Sequence, residues 1–132
     1  RDNTFETPGA AILIEGDSNY WFESGATRHI VIEGNRFHHC AYVSAWGKAP
    51  IQVSPSALVW EKDRRYHQYL EVRGNVFQCC DDRLVNAVNL KKLVFLDNKI
   101  ERTTVFEPIK GQALELDGVL EVETDINKEQ QI

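Results

Sequence analysis

Aromatic side chains lie among charged ones in two long segments that we expect to be loops, residues 15–27 and 54–68. The first contains Trp21 and the second contains Trp60. An aromatic ring offers a flat apolar face on which the C–H side of a pyranose can stack, while nearby Asp, Glu, Arg and His side chains can bond its hydroxyls. These segments therefore point to carbohydrate binding. The alternative is that the rings only close the loop ends against a sheet.

The two interpretations apply differently to the three tryptophans. For Trp21 both stay open. For Trp60, and for Trp46 in a smaller insertion at residues 41–48, packing against the sheet is the preferred interpretation.

A repeated strand motif must position these loops. Four segments share Gly or Asp, then Asn, any residue and an apolar residue, and alternating apolar residues precede the last three. The repeated asparagines are Asn3, Asn35, Asn75 and Asn98, and the apolar residues two positions later are Phe5, Phe37, Phe77 and Ile100. Alternation is typical of a strand with one buried face. Asn suits the bend because it tolerates a left-handed backbone.

The spacing of the motif predicts an all-β fold. The Asn-to-Asn intervals are 32, 40 and 23 residues, and a second apolar strand lies in each unit with no helical pattern. Such units fit a parallel β-solenoid of about four coils, in which like residues stack and the two long loops lie side by side. An antiparallel sandwich is the alternative; it predicts frequent hairpin turns and no stacked column.

We expect one domain over residues 1–132. Its coils fall at about 1–28, 29–68, 69–91 and 92–118, followed by a terminal strand and tail at 119–132. The corner that carries the long loops is expected to shrink to residues 89–91 in the third coil. A weaker fifth copy of the motif follows, in which Leu120 and Val122 correspond to Leu93 and Phe95 of the fourth copy.

Cysteines and histidines in this pattern favour structural roles. Cys40 and Cys80 hold the same repeat position and are expected to be neighbours, with Cys79 beside them, as reduced thiols rather than a disulfide. His38 and His39 lack the spacing of metal ligands and point to opposite faces of a strand. We therefore expect no metal and no cofactor.

Composition excludes other classes of partner. The 132 residues carry a formal net charge of −5, which argues against nucleic acid, and no apolar run approaches the ~20 residues of a membrane helix. Neither a secretory signal nor a Met is present, so we expect a processed or excised piece.

The run from Gly16 through Trp21 and Glu23 to Gly25, followed by the segment ending at Asn35-Arg36-Phe37, resembles a known family. It is similar to the C-terminal coils of glycoside hydrolase family 110, the α-1,3-galactosidases of gut and marine bacteria. The resemblance spans roughly residues 1–104. It implies a right-handed parallel β-helix and an exo-acting, inverting removal of terminal α-1,3-linked galactose.

The resemblance also implies which residues matter. Asp17, Trp21 and Glu23 match the stretch expected to contact the terminal sugar. The family's paired catalytic aspartates belong to upstream coils that this chain lacks, so the chain alone is expected to be inactive. Asp81 and Asp82 imitate such a pair, but their neighbour Arg83 favours a surface ion pair.

The expected partner is a glycan with terminal α-galactose, and glycan degradation implies a secreted or periplasmic location. We also expect self-association through the exposed N-terminal coil, because a solenoid end leaves apolar surface and strand edges uncovered. A non-catalytic glycan-binding or structural module is the competing hypothesis. A pectin-type lyase ranks last, since the expected sheet positions lack calcium-binding carboxylates and a basic residue.

Overall fold

The computed structural model describes residues 1–16, 25–56 and 61–126. Within these ranges the chain forms strands and no helix. The strands are β1 (Thr4–Thr7), β2 (Ile12–Ile14), β3 (Ile30–Glu33), β4 (Arg36–Cys40), β5 (Ile51–Val53), β6 (His67–Arg73), β7 (Val76–Cys79), β8 (Val85–Leu96), β9 (Lys99–Arg102) and β10 (Leu114–Thr124). The described residues accordingly contain no helix able to cross a bilayer.

The strands pair in two parallel sheets. One sheet has the order β1-β4-β7-β9, and the other has the order β2-β5-β8-β6-β3 with β10 also paired to β8. Every pair is parallel. The inward side chains of both sheets share one apolar core. The prediction of an all-β chain with parallel strands is confirmed, and the antiparallel alternative is wrong for the part of the chain described.

The repeated apolar residues form a column in the first sheet. Phe5 pairs with Phe37, Phe37 with Phe77, and Phe77 with Ile100. The ring centroids of the first two pairs lie 5.3 and 4.8 Å apart, with planes 13° and 11° from parallel. These distances match the spacing of adjacent strands, so the predicted column is confirmed.

The repeated asparagines form a second column, which we call the Asn ladder (Asn3, Asn35, Asn75, Asn98). The backbone N–H of each of the first three donates to the side-chain oxygen of the next at 2.9 Å. The left-handed bend falls on the residue before each Asn, at Asp2, Gly34, Gly74 and Asp97, with φ between 56° and 67°. The asparagines therefore stabilise the bend by hydrogen bonding and do not adopt its conformation.

The corner expected at residues 89–91 is not a loop. β8 runs without interruption from Val85 to Leu96 and pairs first with β5 and then with β6. A single left-handed residue, Asn89 with φ 59°, bends the strand. Gly118, with φ 67°, holds the matching place in β10, between the pairs Asp117–Val88 and Val119–Leu90.

The cysteine prediction is wrong in one respect. Phe5 pairs with Phe37 but Thr7 pairs with Cys40, so β4 carries an extra residue, a β-bulge, at His38-His39. The bulge brings Cys40 into the core together with Cys79, while Cys80 lies outside that cluster, with its Sγ 3.1 Å from Oγ1 of Thr103. All three cysteines are free thiols, as expected.

The fifth copy is displaced by two residues from its predicted register. Val122, not Leu120, pairs with Leu93, and Thr124 pairs with Phe95. Leu120 and Val122 are both exposed.

Candidate functional site

The two long loops meet where they leave their strands. Gly16 follows β2, and its carbonyl accepts hydrogen bonds from the backbone N–H and the hydroxyl of Ser56 at 2.9 and 3.0 Å. The ring of Tyr66 also packs on Gly16, where a Cβ would lie 2.2 Å from its Cε1 atom. Any larger residue at this position would displace the Tyr66 ring.

The loops meet again where they return to the sheet. The backbone N–H and the hydroxyl of Thr27 lie 3.1 and 2.8 Å from Nδ1 of His67, and Gln68 donates its backbone N–H to the Thr27 carbonyl at 3.1 Å. His67 is fully buried. The described ends of the two loops thus lie side by side at both bases.

The contacts of His67 select one tautomer of its neutral ring. A backbone N–H can only donate, so Nδ1 accepts from Thr27 and the ring carries its proton on Nε2. Nε2 has no partner in hydrogen-bonding geometry among the described residues, although the Glu15 carbonyl is close enough to favour a charged ring. Burial is the larger influence and lowers the pKa of His67.

The second loop also rests on the bent corner below it. The backbone N–H of Tyr66 donates to Oδ1 of the buried Asn89 at 2.8 Å, and Arg65 Nε donates to the Gly118 carbonyl at 2.5 Å. The corners at Asn89 and Gly118, which carry no insertion, therefore support the long loop of the neighbouring repeat.

The residues that the resemblance assigns to sugar contact lie outside the described residues. This applies to Asp17, Trp21 and Glu23, and also to Trp60. Their roles stay predictions.

Asp81 and Asp82 sit where they brace the segment that follows β9. Oδ2 of Asp81 lies 3.0 Å from Nη2 of Arg83, and Oδ1 accepts the backbone N–H of Ile109 at 2.9 Å. The Asp81 and Arg83 side chains are only 4% and 8% exposed, so this ion pair is buried and not on the surface as expected. Asp82 is more open, with Arg102 at 3.5 Å.

The expectation that His38 and His39 point to opposite faces of the strand is wrong. Their ring centroids lie 4.2 Å apart, because the β-bulge at these residues interrupts the alternation of β4. Each ring has its own polar partner. His38 Nδ1 lies 2.8 Å from Gln78 Oε1, and His39 Nε2 lies 2.8 Å from Thr103 Oγ1. Across residues 1–16, 25–56 and 61–126, no three His, Cys, Asp or Glu side chains cluster so as to hold a metal ion.

Trp46 is the functional candidate that sequence reasoning undervalued. The residue is 66% exposed, so the interpretation that Trp46 is packed closely against the sheet is wrong. It borders an open groove of about 260 Å³ against the outward residues of β2 and β5, Leu13 and Gln52. In the sequence, Gly47 directly after Trp46 could have indicated this exposure, since glycine permits a tight turn that leaves the preceding side chain on the surface.

Comparison with known proteins relates the chain to one set of glycosidases. "Alpha-1,3-galactosidase A" of Bacteroides fragilis is 36% identical over 111 residues, which cover 83% of this chain and 18% of that protein. "Alpha-1,3-galactosidase B" of Bacteroides thetaiotaomicron is 33% identical over 109 residues, covering 81% and 18%. A protein of the same name from Akkermansia muciniphila is 33% identical over 101 residues, covering 74% and 13%. The chain thus spans less than a fifth of the length of these relatives. No protein-family profile matches it.

Proposed function

Since the chain belongs to the α-1,3-galactosidase family, we propose that it forms part of a glycoside hydrolase that removes terminal α-1,3-linked galactose from glycans. The observation that carries this proposal is the 36% identity to an alpha-1,3-galactosidase over 83% of the chain. The substrate is then a glycan with a terminal α-galactose, and a secreted or periplasmic location suits such a substrate.

The scaffold of this function is a right-handed parallel β-helix of about four coils. Supporting it are the column from Phe5 to Ile100 and the Asn ladder, which put equivalent positions of successive repeats in register. A solenoid of this kind brings insertions at one corner together on one side.

The two long loops supply part of the wall of the sugar site. Their described ends are joined by the hydrogen bonds of Gly16 with Ser56 and of Thr27 with His67. Asp17, Trp21 and Glu23 belong to the first loop. Trp21 would stack on the terminal galactose, and the two carboxylates would accept hydrogen bonds from its hydroxyls.

The catalytic acid and base lie elsewhere in the enzyme. Inverting hydrolysis needs one carboxylic acid to protonate the leaving oxygen and one carboxylate to activate water, ~6.5–9.5 Å apart. Asp81 is poorly suited to either role, because both of its oxygens are bonded and its side chain is buried. The 132-residue chain alone is therefore expected to bind sugar without cleaving it.

Titration of the chain with α-1,3-galactobiose by calorimetry tests the binding role. We expect a weak, saturable signal that Trp21→Ala reduces and Val105→Ala, at an exposed position, leaves unchanged. Absence of any signal from the unaltered chain would favour a structural β-helix module. Turnover that disappears in Asp81→Ala or Asp82→Ala would overturn the assignment of catalysis to other coils.

Self-association is part of the same proposal. β1 lies at one end of its sheet with one edge unpaired among the described strands, and parallel pairing with a second copy would cover that edge. Sedimentation over a range of concentrations tests it, and a mass that stays monomeric throughout would exclude it.

A further inference from the structure

The groove beside Trp46 is placed on the outward face of the sheet. Leu13 of β2 and Gln52 of β5 are register partners and form its floor, and the insertion that carries Ser44, Trp46 and Lys48 forms its side. β2 and β5 run directly into the two long loops. The groove therefore lies within one three-residue strand, about 10 Å, of the point where those loops begin.

The backbone under Trp46 is fixed although its ring is exposed. Trp46 donates its N–H to the Val43 carbonyl at 3.0 Å, and Val43 donates to the Pro8 carbonyl at 3.0 Å. Gly9 and Gly47 allow the two segments to touch, since a Cβ on either would meet backbone atoms at 2.8 and 2.5 Å. A tryptophan held in this way presents a large apolar face to solvent at little further cost in backbone order.

Polar groups on the floor are oriented by the same segment. Gln52 Oε1 accepts the backbone N–H of Lys48 at 2.9 Å, and its Nε2 donates to Ser54 Oγ at 3.3 Å. The register partner of Gln52 in β8 is Asn86, whose Nδ2 donates to Oε2 of Glu115 at 3.3 Å. Asn86 Oδ1 is buried without a hydrogen-bond partner among the described residues.

We propose that this groove is a second sugar subsite that takes one neutral pyranose ring, with Trp46 stacked on the C–H face and Gln52 and Lys48 donating to hydroxyls. One exposed ring can stack on the C–H face of a pyranose, and one fixed amide and one ammonium group can donate hydrogen bonds to its hydroxyls. A volume of about 260 Å³ is below the range of about 300–1,000 Å³ for drug-sized ligands, which suits contact with a single ring of a glycan. The subsite rests on the proposed function, because it supposes that the protein acts on glycans.

Indole N–H signals of the ¹⁵N-labelled chain test the subsite directly. Each tryptophan gives one such signal, and Trp46→Phe identifies its own. We expect α-1,3-galactobiose to shift the Trp46 signal in a saturable manner with a Kd of about 1 mM, as single-ring contacts give. Gln52→Ala keeps the Trp46 signal and should weaken the affinity fitted from it several-fold.

Two controls separate ring recognition from general effects. Sorbitol, an open-chain polyol, should leave the Trp46 signal in place, and Val105→Ala should bind like the unaltered chain. A Trp46 signal that does not move with galactobiose, or that moves equally with sorbitol, overturns the subsite. This readout uses the unaltered chain, so it stands even if a variant fails to fold.

The same spectra distinguish this proposal from the preceding one. Movement of Trp46 without Trp21 supports the groove and argues against the wall formed by the first loop. Movement of Trp21 without Trp46 does the reverse, and movement of neither rejects both.

Discussion

Asn35 lies directly beside Asn75 in the neighbouring coil, and Oδ1 of Asn75 accepts both the backbone N–H of Asn35 at 2.9 Å and its side-chain amide at 3.2 Å. The Asn75 amide in turn donates to the Ile32 carbonyl at 2.9 Å and to Oδ1 of Asn98 at 3.0 Å. One side chain thus bonds polar groups of the two neighbouring repeats and links three repeats in succession, and both Asn35 and Asn75 are buried.

Replacing Asn75 by Ala should be strongly destabilising. The change leaves the backbone N–H of Asn35 without its partner and removes one hydrogen bond to the Ile32 carbonyl, and a buried unsatisfied group costs about 1–3 kcal/mol. We expect the free energy of unfolding in urea to fall by about 3 kcal/mol. Asn3→Ala is the control, because Asn3 is exposed and ends the ladder; equal losses in the two variants would contradict the ladder as a source of stability.

Truncation within the phenylalanine column should depend on position. Phe77 is fully buried between Phe37 and Phe95, with ring centroids 4.8 and 5.8 Å away. Phe77→Ala should lower the unfolding free energy by about 3–5 kcal/mol. Among the described residues Phe5 has only Phe37 as a ring neighbour, and it is half-buried, so Phe5→Ala should cost about 1–2 kcal/mol. The reverse order would refute the column.

Acid should destabilise the region where the long loops return to the sheet. Burial lowers the pKa of His67, so the folded chain resists protonation while the unfolded chain takes up a proton near pH 6.5. Stability from this group is complete above about pH 6.5 and decreases as the pH falls toward the folded-state pKa. His67→Gln should flatten the dependence of unfolding free energy on pH in this range. His29→Gln, at an exposed position, should retain the full slope; a shared slope in both variants would exclude His67 as the cause.

The two neighbouring aspartates should respond differently to removal. Asp81→Ala leaves the Arg83 guanidinium buried without its carboxylate and should cost about 3–5 kcal/mol of unfolding free energy. The Asp82–Arg102 pair is 3.5 Å long and partly exposed, so Asp82→Ala should cost at most about 1 kcal/mol. Thermal unfolding of the two variants provides the measurement. A small loss for Asp81→Ala would mean that the buried pair does not brace the fold.

Alkylation should distinguish the three cysteines. Burial raises the pKa of the Cys40 and Cys79 thiols to about 11, so about one thiol in a thousand is ionised at pH 8. Cys80 is less buried and borders an open groove lined by Thr103 to Pro108. Iodoacetamide at pH 8 should therefore label Cys80 first, as peptide mass mapping would show. First labelling at Cys40 or Cys79 would contradict this placement.

The sequence predicted the strands in which the whole Asn motif is repeated. Phe5, Phe37 and Phe77 occupy one position in three copies, and parallel strands with one buried face put such residues in register. The same alternation could not fix the register of β10. Leu120 and Val122 are two positions apart, and a strand that slips by two residues keeps every side chain on the same face. Alternation therefore cannot decide which of the two residues pairs with Leu93.

Other differences arise from single residues in unusual conformations. His39, with φ 54°, adds the extra residue that moves Cys40 out of line with Cys80, and Asn89, with φ 59°, bends β8 without ending it. Both effects depend on tertiary hydrogen bonds, from Thr103 and Tyr66 respectively, that a local pattern does not contain. The exposure of Trp46 likewise depends on how closely Gly9 approaches Gly47 across the first two repeats.

β8 gives the protein an order of assembly. The stacks β2-β5 and β3-β6 share no ladder with each other, and they become one sheet only through the two halves of β8. During synthesis no sheet pairing therefore joins the β2-β5 and β3-β6 ribbons until the residues up to Leu96 have emerged. A stop codon just before Val85 would be more damaging than the number of residues lost suggests.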